Sequence, residues 1–272
     1  MRISRVPAGA AFAAALTLAA TAVTAAAGTS PAGAASAVRY VALGDSYSSG
    51  LGAGAYDPAS GSCDRSANAY PEQWAAANSP TSFTSAACAG ATTSDVLSSQ
   101  VGALSQAATL VSITIGGNDV GFSSVMQTCV LQSTASCQAA VSAAEHQVAT
   151  TLPGKLDNTL RTIRADAPSA KVVVLGYPEF YDLAHSSVCP GLSTADRSAL
   201  DQGADQLDGA LSAAAARNGD VFADVRGQFT GHEICDLGSW LHSVTIPIGS
   251  SYHPTANGQD LGYLPVFSAA AG

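Results

Sequence analysis

The 272-residue sequence predicts an α/β fold of three layers, a mostly parallel sheet between two layers of helices. Three observations predict it. Short aliphatic runs recur along the chain. Between them lie stretches with apolar residues at spacings of three and four. After residue 37 no repeat, charge run or long linker divides the chain.

The elements follow in order. Arg39-Tyr40-Val41-Ala42-Leu43 reads as a buried strand, and the region around Phe83 as a weaker one. Asp95 to Leu104 has helical composition, with Thr93 or Ser94 as N-cap. Leu110 to Ile115 is the next strand. Ser142 to Arg164 carries Val148, Leu152, Leu156, Leu160 and Ile163 on one helical face; Pro153 predicts a kink or a split. Lys171 to Gly176 is a strand. Ala195 to Arg217 is a helix with Leu200, Leu207 and Leu211 inward, stopped by Asn218-Gly219. Val221 to Val225 closes the series. Crossovers between parallel strands should be right-handed. Three segments lack regular pattern, residues 51–69, 177–193 and 228–251, and each holds a cysteine. Loops this long in a compact domain are usually functional.

Residues 1–37 read as a secretory signal peptide, leaving a single domain at 38–272. Arg2 and Arg5 supply a positive start, Ala11 to Ala20 a short apolar run, and Ala35-Ser36-Ala37 a small-residue cleavage site. A cut after Ala27 is the alternative site. A membrane anchor is disfavoured, because alanines make a poor span. Removing the leader reduces 11 basic residues to 9 against 20 acids, a net charge of −11 with histidine neutral. That excludes nucleic acid as a partner, which needs a basic footprint. It also excludes electrostatic docking on anionic lipid, but not contact through an apolar rim. The expected protein is extracellular and monomeric, with no integral span.

All six cysteines, Cys63, Cys88, Cys129, Cys137, Cys189 and Cys235, follow the leader. An even count in an exported chain implies disulfides, whose pairing sequence alone leaves open. Nearest-neighbour pairing closes the shortest loops. No CxxC or clustered Cys/His spacing suggests a metal, and no aspartate-rich calcium pattern occurs, so neither metal nor cofactor is expected.

The chemistry points to Gly44-Asp45-Ser46-Tyr47-Ser48-Ser49-Gly50, directly after the first strand. A serine there sits at the carboxyl edge of the sheet, where open α/β folds bind ligands. A hydroxyl so placed can attack a carbonyl while nearby N–H groups stabilise the oxyanion. Gly50-Leu51-Gly52-Ala53-Gly54 lacks the full nucleotide-binding glycine pattern. Three further loop segments stand in order: Cys88-Ala89-Gly90-Ala91-Thr92, Gly116-Gly117-Asn118-Asp119 and Ser250-Ser251-Tyr252-His253-Pro254.

Serine, glycine, asparagine and histidine in this order resemble the four sequence blocks of the SGNH (GDSL-type) hydrolases. Cys63-Asp64-Arg65-Ser66-Ala67-Asn68-Ala69-Tyr70-Pro71 is similar to the secreted actinobacterial lipases, esterases and phospholipases of that superfamily. The resemblance implies a flavodoxin-like order of five strands. It implies the bridges Cys63–Cys88, Cys129–Cys137 and Cys189–Cys235. It makes Ser46 the nucleophile and His253 the general base, chosen from His146, His185, His232, His242 and His253. The implied oxyanion hole is the Ser46 N–H, the Gly90 N–H and the Asn118 amide. Asp45 reads as an orienting acceptor and Asp119 as structural.

One position departs from that pattern. The family places aspartate three residues before the histidine; this chain has Ser250, and no acid occurs between residues 237 and 259. The backbone carbonyl of Ser251 or Ser250 then has to orient the imidazole, with Asp236 as the rival. The functional expectation is a secreted serine ester hydrolase acting on lipid or other acyl esters, a lipase, esterase or phospholipase A1. The alternatives are a carbohydrate acetylesterase and, from another class, a binding module on the same fold. Sugar platforms look scarce with only two tryptophans, Trp74 and Trp240. A binding module requires loss of a core residue, yet Ser46, Gly90, Asn118 and His253 are all present.

Overall fold

Alternating strands and helices build a parallel five-stranded sheet in the order β2-β1-β3-β4-β5. The computed structural model describes residues 1–4, 8–11, 37–184, 189 and 191–272. Most of the expected signal segment and His185 lie outside them. Residues 37–272 form one compact unit.

The strands are β1 (Arg39–Gly44), β2 (Ser82–Ser85), β3 (Leu110–Thr114), β4 (Lys171–Leu175) and β5 (Val221–Ala223). β1 pairs β2 and β3 in parallel, with Val41 opposite both Thr84 and Val111. The central strands are buried on both faces, so apolar residues stand at successive positions rather than in alternation, and β3 buries even Ser112 and Thr114. Strand order reverses at β1, so the crevice between the carboxyl ends of β1 and β3 is the natural ligand site.

The helices are α1 (Ser46–Ser49), α2 (Tyr70–Asn78), α3 (Thr93–Asp95), α4 (Phe122–Leu131), α5 (Thr134–Thr150), α6 (Leu152–Asp166), α7 (Thr194–Asn218), α8 (Arg226–Phe229) and α9 (Leu264–Ala271). α4 to α7 pack against one another in one layer. α2 and α9 form the other, where Trp74 and Phe267 meet Tyr40 of β1.

The helix expected over residues 142–164 is two helices, and the first begins earlier, at Thr134. Pro153 stands in the first turn of α6, where its missing N–H removes no helical bond. The inward face of α6 is the expected one: Leu152, Leu156, Leu160 and Ile163 are buried, each stabilising by about 1.5–3 kcal/mol relative to exposure. The N-cap of α3 is Thr92, one residue before Thr93 and two before Ser94, the expected candidates. Its hydroxyl accepts from the Asp95 N–H while the Asp95 carboxylate accepts from the Thr92 N–H, a reciprocal box that Ser94 and Thr93 could not form. α7 ends as expected, at Gly219 in the left-handed conformation.

Three bridges tie the loops down. Cys63–Cys88 joins the 51–69 segment to the loop after β2. Cys129–Cys137 joins α4 to α5. Cys189–Cys235 joins the segments after β4 and before the histidine. A bridge of this kind typically contributes about 2–4 kcal/mol. Among the described residues no helix is long and apolar enough to cross a membrane.

Candidate active site

The turn after β1 is dictated by close approach. Gly44 has φ 121°, and a Cβ there would meet the Thr114 carbonyl oxygen at 2.3 Å, so only glycine fits. The side chain of Gln100 clamps Gly44 from both sides, accepting from its N–H at 2.7 Å and donating to its carbonyl at 2.8 Å. Asp45 then caps α1 by accepting from the Tyr47 N–H at 3.0 Å. Ser46 thus opens a helix, and first-turn N–H groups have no partner inside a helix. Its amide is free to donate to an external oxygen.

Asp45 is an acceptor, not a base toward Ser46. Besides the Tyr47 N–H it takes the Thr114 hydroxyl at 2.7 Å and the Tyr177 hydroxyl. Burial pushes its carboxyl up to about 6, against the lowering by these hydrogen bonds. Tyr177 lies just after β4 and is not legible as a site residue from sequence: its partner is 132 positions away.

The histidine arrives from the opposite end of the chain. Residues 241–242 and 252–254 pair as a short hairpin, with the His242 N–H donating to the His253 carbonyl at 2.9 Å. Two latches hold this hairpin on the nucleophile turn. The Tyr47 hydroxyl donates to the Tyr252 carbonyl at 2.6 Å, and His242 Nε2 donates to the Gly52 carbonyl at 2.8 Å. Gly52, with φ 94°, is needed because a Cβ there would lie 2.7 Å from the Pro254 oxygen. His242 is therefore a brace for the hairpin and not a base. His146 is exposed, and His232 stacks on Trp240.

His253 Nδ1 lies 2.9 Å from the Ser251 carbonyl oxygen, and Nε2 lies 2.8 Å from Ser46 Oγ. A carbonyl can only accept, so Nδ1 carries the proton and Nε2 is the acceptor of the serine hydroxyl. Burial pushes the imidazole down to about 4, against the raising influence of the Ser251 carbonyl. The neutral, basic form is therefore the resident one at neutral pH. The Ser250 carbonyl instead accepts from the His253 N–H at 3.3 Å, so of the two expected carbonyls Ser251 faces the ring. Asp236 is engaged elsewhere. It accepts from the Glu233 N–H at 2.9 Å, and with burial it pushes the Glu233 carboxyl up.

Asn118 follows β3. Its amide nitrogen donates to the Ala91 carbonyl at 3.0 Å, which fixes the side chain and leaves one N–H to donate elsewhere. Asp119 is structural: it takes the Thr93 N–H at 2.8 Å and hydroxyl at 2.7 Å, and Lys155 at 3.2 Å. Gly90 sits in an exposed turn with φ 80°, closed by the Ala91 N–H to the Cys88 carbonyl.

Ser46 and Asn118 are among the residues lining an apolar cavity of about 70 Å³. Its walls are Val125 and Met126 from α4, Val148 from α5, Leu200 and Leu207 from α7, and Phe180. A slot of this kind takes a hydrocarbon chain and offers a sugar few hydrogen bonds. Both tryptophans are buried, at 5% and 8% exposure, so neither is a platform for a sugar ring.

These features have counterparts in known proteins. Residues 42–261 match the GDSL-like lipase/acylhydrolase family. Lipase 1 of Streptomyces coelicolor is 55% identical over 233 residues, 85% of this chain and 86% of that protein. A crystal structure of phospholipase A1 from Streptomyces albidoflavus is 56% identical, with a TM-score of 0.84 over 86% of this chain and 100% of that one. An extracellular lipase from Streptomyces rimosus is 51% identical, also with a TM-score of 0.84, over 86% of this chain and 100% of that one.

Proposed function

This chain belongs to the GDSL-like lipase/acylhydrolase family, and from that premise we propose that it is a secreted serine hydrolase of lipid acyl esters. The mature protein is the single domain after residue 37. The observation that carries the reading is the apolar cavity opening directly on a serine hydroxyl already hydrogen-bonded to a neutral imidazole.

The geometry supports the following reaction. The acyl chain enters the cavity, so its ester carbonyl rests above Ser46. Ser46 Oγ attacks, and its proton passes to His253 Nε2. The oxyanion is met by the Ser46 N–H and the Asn118 amide, with the Gly90 N–H as third donor; one such donor is typically worth about 2.7–4 kcal/mol. The imidazolium returns the proton to the departing alcohol, and water repeats the cycle on the acyl-enzyme. The Ser251 carbonyl holds the ring in the right tautomer and points its negative end at the imidazolium, without a full charge.

The test is turnover of p-nitrophenyl esters of increasing chain length, then triacylglycerol and phosphatidylcholine, without added metal. Activity toward acyl chains longer than acetyl is the expected result. Strict preference for acetyl groups on polysaccharide would return the acetylesterase reading.

Two further outcomes check the dyad. Asp236→Asn should keep activity within about threefold, whereas losing a true triad aspartate costs about 10⁴ in kcat. The acid limb of kcat/KM should lie near 4, not at the ordinary histidine value of 6.5, because burial depresses His253. The sign is fixed: the neutral base is lost as pH falls through its folded value, and below it the rate drops about tenfold per pH unit. Asp45 also titrates, at about 6, so a limb there that vanishes in Asp45→Asn belongs to Asp45. For stability, the unfolded chain takes up the histidine proton first. Acid between about 6.5 and 4 therefore weakens the fold through this residue.

A further inference from the structure

The mouth of the site carries a second apolar feature that the dyad and its acyl cavity do not use. A groove of about 240 Å³ runs from His253 along α4 to Leu131, Val244 and Ile248. Three of its lining residues are strongly exposed, Leu131 at 75%, Val244 at 49% and Ile248 at 67%, and Ile246, between the last two in the chain, is exposed at 95%. Isolated exposed aliphatics are ordinary; a contiguous set beside a binding cleft marks an interaction surface.

Charge separates this face from the rest of the molecule. Residues 120–144, which include α4, contain no Asp, Glu, Lys or Arg, and neither do residues 237–259. These two segments supply every residue lining the groove. The chain as a whole carries 20 acids against 11 basic residues. An acidic protein with one uncharged, aliphatic face beside its reactive serine is built to meet a surface that is itself without net charge.

We propose that Leu131, Val244, Ile246 and Ile248 form an interfacial docking face that inserts into zwitterionic lipid and sets the mouth of the site on the surface. This rests on the lipid-ester reading above. Inserted aliphatic side chains gain affinity in proportion to the apolar area they bury in the acyl boundary. The remaining acids keep the molecule off anionic bilayers, whose surface potential repels negative charge.

The experiment separates docking from chemistry. Vesicle binding is measured in a Ser46→Ala background, so that lipid is not consumed, using phosphatidylcholine vesicles and vesicles rich in phosphatidylglycerol. Hydrolysis is measured in the active protein on phosphatidylcholine vesicles and on p-nitrophenyl butyrate below its solubility limit. The test variant is Leu131→Ser with Ile246→Ser; neither side chain lines the acyl cavity. The control is Val221→Ser, an exposed aliphatic at the amino end of β5, on the opposite edge of the sheet.

The double variant should lose about tenfold or more in vesicle binding and vesicle hydrolysis, and stay within about twofold on p-nitrophenyl butyrate. Val221→Ser should change neither. Unchanged vesicle binding in the double variant overturns the proposal. So does an equal loss on the soluble ester, or tighter binding to phosphatidylglycerol than to phosphatidylcholine. Failure of the functional reading shows differently: the unsubstituted protein would turn over no ester while its vesicle binding still depended on Leu131 and Ile246.

Discussion

Replacing Ser46 with alanine should lower kcat by about 10⁶ on any ester the protein cleaves, the scale seen when a serine hydrolase loses its nucleophile. The fold should survive, because Oγ makes its hydrogen bond to His253 Nε2 while the Ser46 backbone anchors α1. The proposed oxyanion donors and the apolar cavity also remain, so substrate affinity should persist while the covalent route closes. Steady-state kinetics on p-nitrophenyl butyrate, beside a thermal melt, reads both quantities. Ordinary turnover in a folded Ser46→Ala protein would remove the nucleophile from the mechanism.

His253→Ala should fall to a similar level. A serine hydroxyl at neutral pH is a weak nucleophile, and among the described residues no other imidazole stands in reach: His242 is committed to the Gly52 carbonyl and His232 to the face of Trp240. The hairpin should stay in place, since the Tyr47 hydroxyl binds the Tyr252 carbonyl and not the ring. Ser46→Ala combined with His253→Ala should be little worse than either alone, because the two groups act as a unit. Losses that simply multiply would mean that the residues serve separate steps.

Much of this site is legible in the amino-acid sequence. The strands announce themselves because a parallel sheet buries both faces. Ser46 and Asn118 stand out because each follows such a strand. His253 is legible only through the family resemblance; from its own surroundings it differs little from His242 or His232. What separates them is a hairpin pairing and two latches that bridge 190 to 205 positions, and no local pattern encodes those. The choice between the Ser250 and Ser251 carbonyls is likewise open in the sequence. It is decided by Tyr252 at φ 63°, in a tight turn that swings the imidazole back over Ser251. The Tyr177–Asp45 contact joins the ends of two strands far apart in sequence, and the walls of the cavity come from three helices and from Phe180 in the segment after β4. Such features arise from packing of distant elements. The N-cap of α3 lies one or two residues before its expected place because threonines and serines crowd that turn, and only the reciprocal bond to Asp95 selects Thr92.

The most direct test of a serine nucleophile activated by a carbonyl-held histidine is labelling with an organophosphonate ester, followed by peptide mass spectrometry. One adduct per chain, on the peptide that contains Ser46, is the expected result. It should form at full rate in Asp236→Asn and slow by orders of magnitude in His253→Ala. An adduct on any other residue, or labelling that depends on Asp236 and not on His253, would contradict it.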